Sequence, residues 1–412
     1  MLAKLALQSL LDRKGSAMLS LLAMTVSVFV LLAVEHIRHQ AKDNFSNTVS
    51  GVDLIVGART GNINLLLYSV FRIGSPTNNI RWQTYENITS NKLVKWAIPI
   101  SLGDSHKGYR VLGTTQDYFE YFSYGKKNRL EFDQGHQFDQ LFDVVLGAEV
   151  ANKLGYSLGD KVALAHGIAT TSFSMHDDRP FTVVGILAAT GTPVDQTLHV
   201  SLKGIEAIHI DWQHGVKVAN TELTQSDLEK VDLQPKSITA FMLGLSSKMA
   251  TFQVQRSINE YASEPVVAIL PGVALSELWR MIGVLENTLL LVSILVFIAA
   301  CLGVSSMLLA SIRERRHEIQ LLRIIGAPPY FLFLLIELEA LLITLLGCLL
   351  GAALLMVCLA LLQGYLVADY GIYIASNILT KNSGYLLMSI IMASIVVAII
   401  PSLSGYRKAR ES

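Results

Sequence analysis

Apolar positions are unevenly placed along the chain. Residues 18–34 contain no charge across seventeen positions, and 288–312 contain none across twenty-five. The stretch 330–367 is apolar apart from Glu337, Glu339 and Gln363, and 385–401 is again uncharged. A hydrocarbon core about 30 Å thick is crossed by about 20 helical residues. The pattern therefore predicts four transmembrane helices, at 16–38, 286–311, 330–363 and 384–403, with polar flanks lengthening the two shorter cores.

Between the first two spans the pattern changes. Residues 39–285 alternate short β-rich runs (53–56, 109–112, 143–146, 161–165, 181–187) with helix-like stretches (148–154, 202–208) and Gly-containing turns. This reads as a large mixed α/β domain inserted between helices 1 and 2. The block 143–203 is expected to be a strand-rich inserted subdomain, with the sequence on either side of it pairing to form another. Both junctions with the spans look helical. A helix from 16 to 47 would extend about 48 Å, so two helical stalks are expected to carry the domain.

Charge sets the expected orientation. Lys4, Arg13 and Lys14 precede the first span, Arg313, Arg315, Arg316 and Arg323 separate the second from the third, and Arg407, Lys408 and Arg410 follow the fourth. The loop 364–383 holds Lys381 alone. By the positive-inside rule the basic segments are cytoplasmic. Residues 1–15 are then a cytoplasmic lead-in, 404–412 a cytoplasmic tail, and 364–383 a short loop on the opposite side. A cleaved signal peptide is the competing reading of the first segment. Its apolar run is too long, and Glu35, His36 and Arg38 follow where small residues would mark a cleavage site.

Composition narrows the function. Lys+Arg and Asp+Glu are 33 each, and charged residues are only 16% of the total. No basic footprint for nucleic acid exists. The three cysteines, Cys301, Cys348 and Cys358, all fall in predicted spans, so the outer domain is expected to fold without disulfides. The chain has no G-x-x-x-x-G-K-[ST], H-E-x-x-H, C-x-x-C or G-x-S-x-G sequence. No catalytic site and no cofactor are expected in it. Seven of the ten histidines lie in the outer domain. His166, His176, Asp177 and Asp178 are of metal-ligand type, but the histidines lack ligand spacing and are read as polar surface residues.

The segment 312–329 carries the most information. Ile312, Ile319, Leu322 and Ile325 form an apolar stripe, opposed by Glu314, Arg315, Arg316, Glu318 and Arg323. Gly326 suits a left-handed cap, and Pro328-Pro329 prevent continuation. Mixed charge beside a buried stripe suits docking to a cytoplasmic protein. Glu337 and Glu339 are acidic groups within a span, functional by default or else snorkelling or paired with Arg313 or Arg323. Gly347 and Gly351 permit close helix packing, against a partner copy or against the second span.

The run ERRHEIQLLRIIGAP at 314–328, then Glu339-Ala340 and GCLLG at 347–351, resembles the signature of FtsX/MacB-type ABC-transporter permeases. LALQSLLDRKGSAMLSLLAMTVSV at 5–28 and PSLSGYRKAR at 401–410 resemble that family's beginning and end. LGAEVANKLGYSLGDKVAL at 146–164 with FTVVGIL at 181–187 is similar to the MacB-like periplasmic core domain. The resemblance implies a permease subunit in the bacterial inner membrane, with both termini cytoplasmic and a large periplasmic domain. It implies a cytoplasmic ABC ATPase dimer holding Mg-ATP on separate chains and gripping 312–329. It further implies a second permease copy, identical or paralogous, and a periplasmic protein or lipoprotein as partner. Such permeases couple ATP hydrolysis to movement of the outer domain (mechanotransmission), exporting or extracting a substrate. Regulation of periplasmic proteins without transport, or metal handling through the outer histidines, are the alternatives.

Overall fold

The computed structural model of the protein describes residues 2–166, 179–210, 212–213, 216–217, 231–314, 328–370, 378 and 380–411. The chain forms two compact units. One comprises Met1–Ala41, Ile282–Gly364 and Ile374–Ser412, the other Lys42–Met281 with Tyr365–Tyr373. It begins with α1 (Leu2–Asp12) and α2 (Lys14–Asn47). In α1, Ala6, Ser9 and Leu10 are buried while Leu7 and Leu11 are exposed, as expected of an amphipathic helix. No proline or glycine follows Gly15 in α2, so the helix continues through its polar end.

The second unit is built on an eleven-stranded sheet. In chain order its strands are β1 (Leu54–Ala58), β2 (Val94–His106), β3 (Tyr109–Thr114), β4 (Phe132–Gly135), β5 (Asp143–Leu146), β6 (Lys161–Val162), β7 (Ala165–His166), β8 (Phe181–Leu187), β9 (Thr197–Ser201), β10 (Ala240–Leu245) and β11 (Val266–Ile269). The spatial order is β11-β1-β10-β2-β3-β9-β5-β8-β4, with β7 on β2 and β6 on β8. Helices α3 (Asn62–Ser69), α4 (Trp82–Thr89), α5 (Asp117–Tyr121), α6 (Ala148–Leu154), α7 (Leu202–His209) and α8 (Thr251–Asn259) join the strands.

Successive strand residues point to opposite faces, and both faces are covered. Ile55 packs with Leu65, Tyr68, Ile98 and Met242. Its neighbours Leu54 and Val56 pack with Phe241, Val254 and Ile258. Likewise Val145 joins the first cluster while Val144 and Leu146 join Val183, Leu198 and Ile205. This explains why runs such as DVVL are continuously apolar rather than alternating.

Sequence before and after the block 143–203 pairs directly, β1 with β10 and β11, and β2 with β10. The block itself does not form a sheet of its own. Its β9 runs parallel to β3, with Thr197 opposite Arg110 and Ser201 opposite Thr114, and its β7 pairs with β2, so the block is part of the larger sheet. The run expected as one strand at 161–165 is two, β6 and β7, which pair with different partners.

The chain returns to the first unit through α9 (Pro271–Glu314), α10 (Pro329–Tyr370) and α11 (Lys381–Glu411). With α2 these are four helices long and apolar enough to cross a membrane. Each exceeds its expected span. Helix α9 starts at a proline, whose missing N–H costs nothing in the first turn. Helix α10 continues to Tyr370, into the expected loop, because the lone Gly364 costs only about 1 kcal/mol in a helix. Helix α11 carries Pro401 in its interior and takes in the expected tail.

Candidate functional site

Within the membrane unit, small and hydroxyl-bearing residues hold the spans together. Ser27 Oγ of α2 donates to the Ala23 carbonyl at 2.9 Å and lies 3.4 Å from the Val296 carbonyl of α9. A Cβ at Gly347 of α10 would lie 2.6 Å from Met24 Cγ. One at Gly351 would lie 3.0 Å from the Thr25 carbonyl and from Val28. Both glycines therefore seat α10 on the first span, where sequence spacing alone left the second span or a partner copy open. Thr344 Oγ1 and Ser394 Oγ are 2.5 Å apart and tie α10 to α11.

Glu339 is 3% exposed, beside the buried Leu335, Ile336, Ala340 and Ile343 of the same helix. Glu337 is half-buried and approaches Ser402 of α11, which is fully buried. The two carboxyl groups thus lie inside the bundle, unlike the apolar residues Leu345, Leu346, Leu349 and Leu350, which are exposed as lipid-facing positions should be. The side chain of Arg313 and the whole of Arg323, considered as partners for them, lie outside the described residues.

The backbone of α9 ends at Glu314, and α10 begins at Pro329. Arg315, Arg316, Glu318, Ile319, Leu322, Arg323, Ile325 and Gly326 lie outside the described residues, as does the side chain of Glu314. The last turns of α9 are buried at Val304, Leu308 and Ile312, so the apolar stripe begins while the chain is still packed in the bundle.

Three of the outer histidines, His106, His199 and His209, make contacts within the unit. His106 Nδ1 lies 2.6 Å from the Ala163 carbonyl and Nε2 lies 2.9 Å from the Tyr156 hydroxyl, and burial pushes its imidazole below the usual histidine range. His199 is fully buried against Tyr118 and Phe119. Desolvation, with the nearby Arg72 charge, pushes it down to about 3. His209 Nε2 is 3.5 Å from Asp104. His176, Asp177 and Asp178 lie outside the described residues, as does the side chain of His166. Among the described residues no three His, Cys, Asp or Glu side chains gather as a metal site. Sequence reading missed one feature, a cleft lined by Arg72, Lys107, Arg110 and Lys153, because these residues come from three separate elements.

Residues 17–261 match the MacB-like periplasmic core domain family, and residues 290–410 match the FtsX-like permease C-terminal family. The chain belongs to the FtsX/MacB-type family of ABC-transporter permeases. The first match alone spans more than half of the sequence. Among solved structures, the periplasmic region of MacB from Actinobacillus actinomycetemcomitans is similar at 10% identity and TM-score 0.34, covering 56% of this chain and 94% of that one. The extracellular domain of the noncanonic ABC-type transporter YknZ from Gram-positive bacteria is similar at 10% identity and TM-score 0.31, covering 53% and 99%. No curated protein matches the chain significantly by sequence. The protein is a multi-pass membrane permease subunit of an ABC transporter with an extracytoplasmic domain. It is a component that is not itself catalytic, and permeases of this type work with ABC ATPase partners.

Proposed function

We propose that this permease converts ATP turnover by a separate cytoplasmic ATPase dimer into movement of its extracytoplasmic domain. The ATPases hold Mg-ATP; this chain supplies the handle and the rod. Glu314, Arg315, Arg316, Glu318 and Arg323 make the charged contacts, and Ile319, Leu322 and Ile325 the buried stripe, with Gly326 closing the helix.

One observation supports this reading above the others. The handle follows directly on α9, a single helix of 44 residues, which begins two residues after the edge strand β11. At 1.5 Å per residue the helix is about 66 Å long, more than twice a hydrocarbon core. No loop interrupts the chain between residue 271 and residue 314, and rigid-body transitions are one way in which such an element passes on a displacement. The basic segments favour both termini in the cytoplasm of a bacterial inner membrane, and two permease copies are expected to face two ATPases. Export or extraction of a substrate from the periplasm or membrane follows from such a stroke.

The test replaces Arg316 and Glu318 with alanine in the full chain. ATPase copurification and ATP turnover are both expected to fall at least tenfold. Binding and turnover at the original level would refute the assignment of the handle.

A further inference from the structure

The outer unit contains a cleft of about 470 Å³ between the β2–β3 hairpin, the segment after α3, helix α6 and the short helical turn at Pro193–Gln196. Four cations line it: Arg72, Lys107, Arg110 and Lys153. Its one carboxylate, Glu149, is already engaged. Lys153 Nζ is 3.5 Å from it, and Gln196 Nε2 donates to it at 3.0 Å.

The other three cations are held by neutral oxygens. Arg72 donates to the Ser69 carbonyl and contacts the Tyr118 hydroxyl. Arg110 Nη2 donates to the Gly74 carbonyl at 2.5 Å. Lys107 Nζ donates to the Tyr156 hydroxyl at 3.0 Å and sits 5.1 Å from the centre of its ring. None of the three has a carboxylate partner among the described residues. Cations gathered in a cleft repel one another, and burial, with Arg110 nearby, pulls the Arg72 guanidinium below its ordinary range. The backbone is also committed. Arg72 and Lys107 hold φ of 61° and 47°, left-handed conformations that non-glycine residues adopt at a cost of about 1 kcal/mol or more. At Lys107 the two-residue turn Lys107-Gly108 between β2 and β3 sets that conformation, and it holds the ammonium at the rim of the cleft.

We propose that the cleft is a binding site for a phosphoryl group, with Arg72, Lys107 and Arg110 as its ligands. Two arginines match phosphate oxygens in paired hydrogen bonds, and lysine adds a mobile point charge. Three uncompensated positive charges suit a dianion; a single carboxylate would leave two of them unmatched. The volume exceeds that of an isolated phosphate, and Phe71, Pro193 and the exposed Ile73 form an apolar wall. A phosphate ester with a carbon-rich substituent therefore fits better than the bare ion, either as a lipid headgroup or as a soluble ester.

The experiment titrates the full chain in nonionic detergent with dioctanoyl phosphatidic acid, dioctanoylglycerol, glycerol 3-phosphate and inorganic phosphate, by isothermal calorimetry. Binding of a phosphate-bearing probe but not of dioctanoylglycerol is expected. That binding should weaken at least tenfold in the Lys107→Gln/Arg110→Gln variant and weaken with added salt. Preference for the lipid over glycerol 3-phosphate identifies a headgroup; equal binding identifies a soluble ester. Arg72→Gln removes a half-buried group that is hydrogen-bonded to the Ser69 carbonyl and can unfold the unit, so the double variant decides, with its melting temperature measured alongside. No binding of any phosphate-bearing probe, or equal binding by the double variant, overturns the proposal.

Discussion

Gly347 faces Met24 so closely that a methyl group at position 347 would stand 2.6 Å from the Met24 side chain. The contact joins the third span to the first, and helices in lipid associate through such close packing rather than through a hydrophobic force. Gly347→Val should lower the thermal stability of the detergent-solubilised protein by about 1–3 kcal/mol. Gly303→Ala is the control, since a Cβ there meets nothing within 4 Å; it should be neutral or slightly stabilising. Equal effects at both positions would disprove the packing.

The hydroxyl pair Thr344 and Ser394 links α10 to α11 with no charge involved. Thr344→Val keeps the shape and removes the hydroxyl, which also donates to the Ala340 carbonyl. Interhelical hydrogen bonds in membranes average about 0.6 kcal/mol. A double-mutant cycle with Ser394→Ala should return a coupling energy of that order, and zero coupling would mean the pair contributes nothing.

Gly147 lies between β5 and α6, where an added Cβ would run into the backbone carbonyls of Val194 and Asp195. Main-chain atoms cannot rotate aside as a side chain can. Gly147→Ala should therefore cost about 2–3 kcal/mol. Gly155, at the other end of α6, has φ of 70° but open space around it. Gly155→Ala should cost about 1–2 kcal/mol, through backbone conformation alone. Denaturant midpoints followed by tryptophan fluorescence would rank the two.

His199 gives the outer unit a pH dependence. Burial holds it near 3 in the folded state, against about 6.5 when unfolded. Between those values the unfolded chain binds the proton and the folded chain does not, so stability falls as pH drops below 6.5. The slope approaches about 1.4 kcal/mol per pH unit for this one group. Between pH 7 and pH 5 the native protein should lose about 2 kcal/mol relative to His199→Leu. Parallel pH profiles for the two proteins would show that His199 does not titrate across this transition.

Reading the chain alone reached the four spans and the mixed α/β domain between the first two, since both follow from local periodicity: long uncharged runs demand a bilayer, and short apolar runs between turns demand a sheet. Strand β5, helix α6 and strand β8 were legible to the residue. Helix ends were less so, because Gly364 and Pro401 are tolerated inside long helices where propensity marks a stop. Tertiary structure alone decided that β9 runs beside β3 and merges the block 143–203 into one sheet. It alone decided that Gly347 meets the first span, and that Arg72, Lys107 and Arg110 share a cleft. The physical reason is common to all three. Each depends on contacts between residues far apart in sequence, and periodicity reports which face of an element is buried but not what buries it.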